Sequence, residues 1–449
     1  MRMFSLIAFY FLLITSFPLF AQQVFYVDSE KGDDAAAGLG PDAAWRSLEQ
    51  VNRANLQAGD TVRFRRGGLW RGQLVPKSGE PGRPVTYTSY GEGAKPILQG
   101  SLSRSAAGDW AQVGQGVWAA GDVGVDAGIL ILNHGEAYGV KKWKPADLRD
   151  ALDYWYDAEG KRVCVRCDAN PAEKYASVEL ALTRHIVNQG NRHDVVYDGL
   201  AVRYGAAHGF GGGMTKRITI RNCDVYWIGG GLQFFKPDGA PVRYGNGIEF
   251  WDGAEDHLVE RNRLWEIYDA ALTNQGNGEK SHQVNIVYRN NVIWNAEYSF
   301  EFWNRPEGVR SHNIIFENNT CVNAGGAWSH AQRPDPNGAH LMFYQNPSDT
   351  QGFIIRNNIF CGTTDMCMRM ENDWRGGLRM ANNLYHTGGK PVTRWLIRDF
   401  LQTLEAHQQA TGLDADSIFA MPDFVNPEAR DYRLKPVSPG FKEGVGAKN

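Results

Sequence analysis

At 449 residues with a formal net charge of −3, Lys+Arg 47 against Asp+Glu 50, the chain carries no basic field able to hold a polyanion, which argues against nucleic acid as a partner. The length is too great for one compact globule unless the architecture grows by repetition, so repeats take precedence over domains. Fifty-one glycines and 12% aromatic residues fit a turn-rich β protein with exposed ring surfaces.

Met1 and Arg2 precede an apolar run over 6–20 and then Ala21-Gln22-Gln23. A positive start, a short apolar stretch and a small residue at its end are the parts of a secretory signal peptide, predicted to cover residues 1–21, although Leu19 is larger than usual two places before the cut. The run is shorter than the roughly 20 apolar residues that span a bilayer. No later segment is long and apolar enough to span, so a secreted or periplasmic protein is expected, without a membrane span in the mature chain. Over 101–185, Trp110, Trp118, Trp143 and Tyr154-Trp155-Tyr156-Asp157 before Gly160 suggest hairpins and a small β-rich insert. Cys164 and Cys167 form one CxxC with no second pair at zinc-ribbon spacing, so no metal site is assigned there. Of the remaining Cys223, Cys321, Cys361 and Cys367, Cys321 and Cys361 fall at similar points of successive repeats and are the expected bridge, with buried free thiols as the alternative.

From about residue 195 one phrase recurs, a β-branched strand followed by asparagine, at Asn222, Asn262, Asn290, Asn318, Asn357 and Asn382, with Asp198 at its head. Asparagine tolerates the left-handed conformation of a sharp bend, and its amide can bond to the same amide one coil above, so these six predict a structural turn ladder. A second column follows: Ile248-Glu249-Phe250-Trp251, Ala271-Leu272-Thr273-Asn274, Phe300-Glu301-Phe302-Trp303, Leu341-Met342-Phe343-Tyr344 and Met368-Arg369-Met370-Glu371. Alternation with period two turns Ile248, Ala271, Phe300, Leu341 and Met368 inward, and Glu249, Leu272, Glu301, Met342 and Arg369 outward. Trp251, Asn274, Trp303, Tyr344 and Glu371 are expected outward beside them.

This arrangement resembles the exported, polysaccharide-active right-handed parallel β-helix proteins of the pectate-lyase-like superfamily. Phe25-Tyr26-Val27-Asp28 with Ala58-Gly59-Asp60-Thr61-Val62, and Arg430-Asp431-Tyr432-Arg433-Leu434 with Pro439-Gly440, look like that group's opening and closing segments. The resemblance implies an all-β, single-stranded right-handed parallel β-helix and leaves the reaction open, because the superfamily hosts lyases, hydrolases, epimerases and inert binding proteins. Residues 22–100 then form the first coils, with a helical cap near 47–56. Residues 101–185 are the insert and 186–390 the main coils. Residues 391–449 close the chain, with a helix over 400–411 stopped by Gly412.

Two tryptophans and a tyrosine standing out from one sheet are expected to stack on sugar rings, the alternative being that loops fold over them. The polar loops 236–246 and 328–340 should bound a groove about 14 Å wide at about 4.8 Å per coil. Glu249 and Glu301, two coils apart, should have backbones roughly 9.6 Å from each other, near the upper end of the separation for inverting glycosidases. Asp269 joins them only if its strand bulges, and His340 is expected outward as a proton shuttle. Arg305, Arg333 and Arg369 could clamp an acidic sugar. Arg243, Asp335, Gln275, Asn274 and Asn304 complete the expected substrate-binding set. The preferred reading is a monomeric glycoside hydrolase acting on a polysaccharide or oligosaccharide. Alternatives are a polysaccharide lyase acting on a uronate-containing glycan and a non-catalytic glycan-binding protein. No cofactor is expected: no compact Asp cluster matches the calcium sites of related lyases, and calcium binding is left open.

Overall fold

Apolar residues at every second position give each short strand one side that must leave water, and stacking the strands in parallel buries those sides together. The computed structural model describes residues 22–373 and 375–448; the signal peptide expected over 1–21 lies outside the described residues. One wall runs in chain order from Val24–Val27 through Thr61–Arg65, Val85–Tyr90, His193–Asp198, Lys216–Arg221, Ala254–Glu260, Gln283–Arg289, Arg310–Glu317 and Phe353–Arg356 to Leu378–Ala381. Every neighbouring pair is parallel. Val85 pairs directly with Val195, so the solenoid continues across the break at 101–185. A second wall carries Ala201–Gly205, Asp224–Ile228, Thr320–Ala324 and Ile359–Thr363; a third carries Ile248–Trp251, Ala339–Phe343, Met366–Met370 and Thr393–Trp395. The long strands Arg263–Asn277 and Val292–Arg305 bend to serve both. The chain is therefore a right-handed parallel β-helix, filled by aromatic stacks such as Phe300 on Phe316 at 4.8 Å and Phe360 against Tyr385 at 5.4 Å.

The turn between the first two walls divides between neighbours the two tasks expected of one asparagine. Asn222, Arg261, Asn290, Asn318, Asn357 and Asn382 take the left-handed conformation, φ 48–56°. The residues after Arg261, Asn290, Asn318, Asn357 and Asn382, namely Asn262, Asn291, Asn319, Asn358 and Asn383, are fully buried. Asn291 Nδ2 donates to Asn319 Oδ1 and to the Val259 carbonyl, both 3.0 Å, and its backbone N–H also donates to Asn319 Oδ1 at 3.0 Å. Asn262 thus belongs to the buried ladder, one place from the bend position expected of it, and Arg261 makes the bend.

Ser47 caps the helix Leu48–Arg53, whose Leu48 and Val51 are buried against the first coil and cover the open end of the core. At the far end the helix Leu404–Thr411 begins later than expected, because Thr403 caps it through the Ala406 N–H. Phe400 lies instead in the strand Asp399–Leu401, antiparallel to the edge strand Thr393–Trp395. Gly412 ends the helix at φ 71°. Residues 101–185 hold a five-stranded sheet and the antiparallel pair Ala127–Leu132 and Val178–Leu182. Leu130 and Leu132 fill the insert's own core, while Ile129 and Ile131 pack on Trp227, Tyr268 and Trp328 of the solenoid. All six cysteines are buried free thiols. The expected Cys321–Cys361 bridge does not form: Cys321 sits opposite Phe360 and Cys361 opposite Val322, so one thiol faces the core and the other the outside of the same wall.

Candidate active site

The outer face of the third wall carries the column Glu249, Thr273, Glu301, Met342 and Arg369, each in register with the next, and beside it Trp251, Gln275 and Trp303. Glu249, Glu301, Trp251, Trp303 and Tyr344 therefore share one exposed wall. The middle coil differs from the expected alternation. Between Ile267 and Ala270 the strand holds one residue more than its partner, a β-bulge, and every later residue changes face. Thr273 and Gln275 point out, while Leu272 and Asn274 point in. Asn274 is fully buried, donating to Gln283 at 2.8 Å and accepting from the Tyr288 hydroxyl at 2.5 Å. The same bulge presents Asp269 to the solvent side, one coil from both Glu249 and Glu301.

Glu249, Trp251, Asp269, Gln275, Glu301 and Trp303 line a cavity of about 740 Å³, walled on one side by the hairpin Gly231–Phe235 and Pro241–Tyr244 through Gln233, Arg243 and Tyr244. The Trp251 and Trp303 rings meet edge to face at 5.5 Å, and Arg305 lies 4.9 Å over Trp303. Glu301 is 4% exposed, and its Oε2 is buried with no hydrogen-bond partner. Burial raises its pKa well above the usual carboxylate range; the neighbouring Asp269 charge adds to this, while Arg333 opposes it. Asp269 is itself raised by burial, with Arg333 at 3.3 Å pulling it back. Arg333 packs against the Tyr268 and Tyr298 rings and also reaches the fully buried Glu297 at 3.7 Å, so one guanidinium charge is shared between Asp269 and Glu297.

Glu249 is held by a residue that the repeat pattern missed. His208 Nε2 lies 2.7 Å from Glu249 Oε2, and His208 Nδ1 accepts the Asn246 backbone N–H at 2.9 Å. With Nδ1 occupied as an acceptor, the ring proton sits on Nε2 and points at the carboxylate. His185 stacks on His208 at 4.8 Å, and burial lowers His185 to about 4. Phe210 pairs with Ile248, so counting back one coil from Asn246 leads to His208, and Asp198 at the head of the turn series is the anchor from which that coil could have been counted.

Further expectations are corrected. His340 faces the core, 2.9 Å from Ser299 and 5.6 Å from the Phe360 ring, because the chain turns a corner between Ala339 and Leu341; burial lowers it to about 3. Asn304 is fully buried and donates to Ser311 at 3.1 Å. Asp335 is exposed and lies off the cavity. Arg369 pairs with Glu371 at 2.7 Å, over Tyr344 and outside the cavity lining. The loop 328–340 packs down instead of rising, with Trp328 stacked on Trp227 at 6.1 Å. Gln275, Trp251, Trp303, Arg305, Tyr344 and Arg243 do line the cavity. Arg243 is spent on structure, donating to the Gly230 and Gly128 carbonyls at 2.7 and 3.0 Å.

No family model matches the chain. Over 81 residues it is 35% identical to the lacto-N-biosidase of Bifidobacterium longum, a stretch covering 16% of this chain and only 5% of that protein. Among solved structures it is similar to a glycoside hydrolase, with TM-score 0.56, 8% identity and coverage of 95% of this chain and 99% of that one. It is also similar to XylC solved in complex with xylose, with TM-score 0.52, 12% identity and coverage of 83% and 70%. The likeness to these structures shows a shared fold, the right-handed parallel β-helix. No helix among the described residues is long and apolar enough to cross a membrane.

Proposed function

We propose that the cavity is the active centre of an exported glycoside hydrolase that cleaves a polysaccharide or oligosaccharide with inversion at the anomeric carbon. The observation that carries this reading is Glu301, a carboxyl buried beside a second acid, Asp269, with an unpartnered oxygen, in the same cavity as Glu249. Leaving a buried polar atom unsatisfied costs about 1–3 kcal/mol, a cost that a catalytic acid repays and a passive wall does not. Glu301 protonates the leaving oxygen. Glu249, oriented by His208, takes a proton from the attacking water. The two acids are two rungs apart, roughly 9.6 Å between backbones, a spacing that supports the inverting arrangement, in which the carboxyls stand about 6.5–9.5 Å apart with a water between them. Trp251, Trp303 and Tyr344 offer ring faces to the sugar. The hydrolase and lacto-N-biosidase likenesses agree with this chemistry.

β-Elimination on a uronate is the competing reaction: His340 is inside the core and burial raises the phenols of Tyr244 and Tyr344, which leaves His185 and Arg305 of the cavity lining as the bases it would use. A panel of neutral and acidic glycans, read for reducing ends and for absorbance of unsaturated uronate, tests the reading. Reducing ends without new absorbance are expected, with the product's first anomer inverted by NMR. Glu301→Gln should lower kcat by about 10³-fold with the fold intact; near-normal turnover in that variant overturns the assignment.

A further inference from the structure

The tryptophans of the insert are not used by the centre just described, yet two of them line a second cavity. It has a volume of about 470 Å³ and is walled by Trp143, Trp155, Tyr156 and Phe235. Trp143 and Phe235 meet edge to face at 5.8 Å, and Phe235 is 51% exposed. The hairpin Gly231–Phe235 and Pro241–Tyr244 is the common wall: Gln233 and Tyr244 face the Glu301 cavity, while Leu232 and Phe235 face this one. Asp126 locks the insert to that hairpin by accepting the Leu232 N–H at 2.8 Å and the Thr183 hydroxyl at 3.0 Å.

The polar equipment of the second cavity is buried as well. The Lys141 side chain is 1% exposed; its ammonium contacts Asp126 and donates to the Ala127 carbonyl at 2.6 Å, 5.2 Å from the Trp143 ring. Two of three N–H bonds are thereby used, and the third is left for an acceptor in the cavity that Lys141 lines. Burial holds Lys141 down at about 8, against the attraction of Asp126. The lining carboxylates Asp126, Asp157 and Glu159 outnumber the ammonium groups of Lys141 and Lys142, which disfavours an anionic guest. Ring faces for C–H surfaces, one sheltered donor and carboxylate acceptors at the rim suit a neutral sugar unit.

We propose that this cavity is an accessory subsite that holds a neutral sugar of the same glycan whose scissile bond lies beside Glu301. The proposal rests on the glycosidase reading of the first cavity, and its test separates the two. Affinity electrophoresis through xylan, β-glucan and galactan, with polygalacturonate as the acidic control, is run on the intact protein, on Glu301→Gln and on the pair Trp143→Ala with Trp155→Ala. At least one neutral glycan should retard the wild type and Glu301→Gln alike, and the tryptophan pair should lose about tenfold in affinity for it. Turnover of di- and trisaccharides by the pair should stay within twofold of wild type, while KM for the polymer rises. Trp143→Tyr with Trp155→Phe, which keeps the ring faces, should restore retardation and so separates lost stacking from lost folding. Equal retardation of the wild type and the alanine pair overturns the subsite, as does retardation by polygalacturonate alone or by none of the glycans. In all three cases reducing-end release can still stand, whereas failure of turnover with intact tryptophan-dependent binding sinks the hydrolase reading alone.

Discussion

At the scale of single residues, the proposed hydrolysis depends on two carboxyls given different surroundings. Glu301 is buried beside Asp269 with one oxygen unmatched; Glu249 receives an N–H from His208. A raised acid is protonated below its pKa and lost as an acid above it, so the alkaline limb of the pH–rate profile should report Glu301 and lie well above the usual carboxylate range. A profile already falling near 4.5, the ordinary glutamate value, would contradict that role. His208 acts through Glu249 and is a positioning residue. His208→Ala should lower kcat by about 10–100-fold with KM little changed, since oriented hydrogen bonds of this kind contribute about 1.5–3 kcal/mol. His208→Gln, which can still donate to Glu249, should recover part of the loss in kcat. Equal loss in both variants would mean that the ring serves packing alone.

At the scale of strands and turns, the sequence makes the repeat legible because period-two alternation and the bend asparagine are both local properties. The columns around Glu249 and Glu301 follow from it. What the sequence hides is a change of phase. Tyr268-Asp269 adds one residue to a strand without altering its composition, yet it exchanges the faces of Leu272 with Thr273 and of Asn274 with Gln275. His340 escapes for a related reason: alternation fails at a corner, where Ala339 belongs to the outer cluster while His340 and Leu341 face the core. The ladder offers a stability test. Asn319 donates to the Tyr288 carbonyl at 3.0 Å and accepts the Asn291 backbone N–H at 3.0 Å. Asn319→Ala leaves both backbone groups buried and unpaired, at a cost of roughly 2–5 kcal/mol. Calorimetry should show a clearly lower Tm, and an unchanged Tm would show that the column carries no load.

At the scale of the whole molecule, the core encloses imidazoles that stay neutral. His257 accepts the Ile218 N–H at 3.1 Å and stacks on Phe250 at 4.1 Å; burial lowers both His257 and His340 from 6.5 to about 3. Between those values the unfolded chain binds protons that the folded chain refuses, so stability falls as pH drops below 6.5, by roughly 2–3 kcal/mol per ring at pH 4.5. Urea denaturation at pH 7 and 4.5 should show this loss, and His257→Gln should flatten it; a slope unaffected by the substitution would assign the acid sensitivity elsewhere.

Glu249 and Glu301 hang from rungs whose height is fixed by main-chain hydrogen bonding, with Thr273 as the single rung between them. Such a frame works as a gauge: its interval cannot be tuned by a hinge or a lid. On the proposed hydrolase reading, exchanging the hairpin or the insert can therefore admit a different guest, while the handedness of the released sugar stays the same.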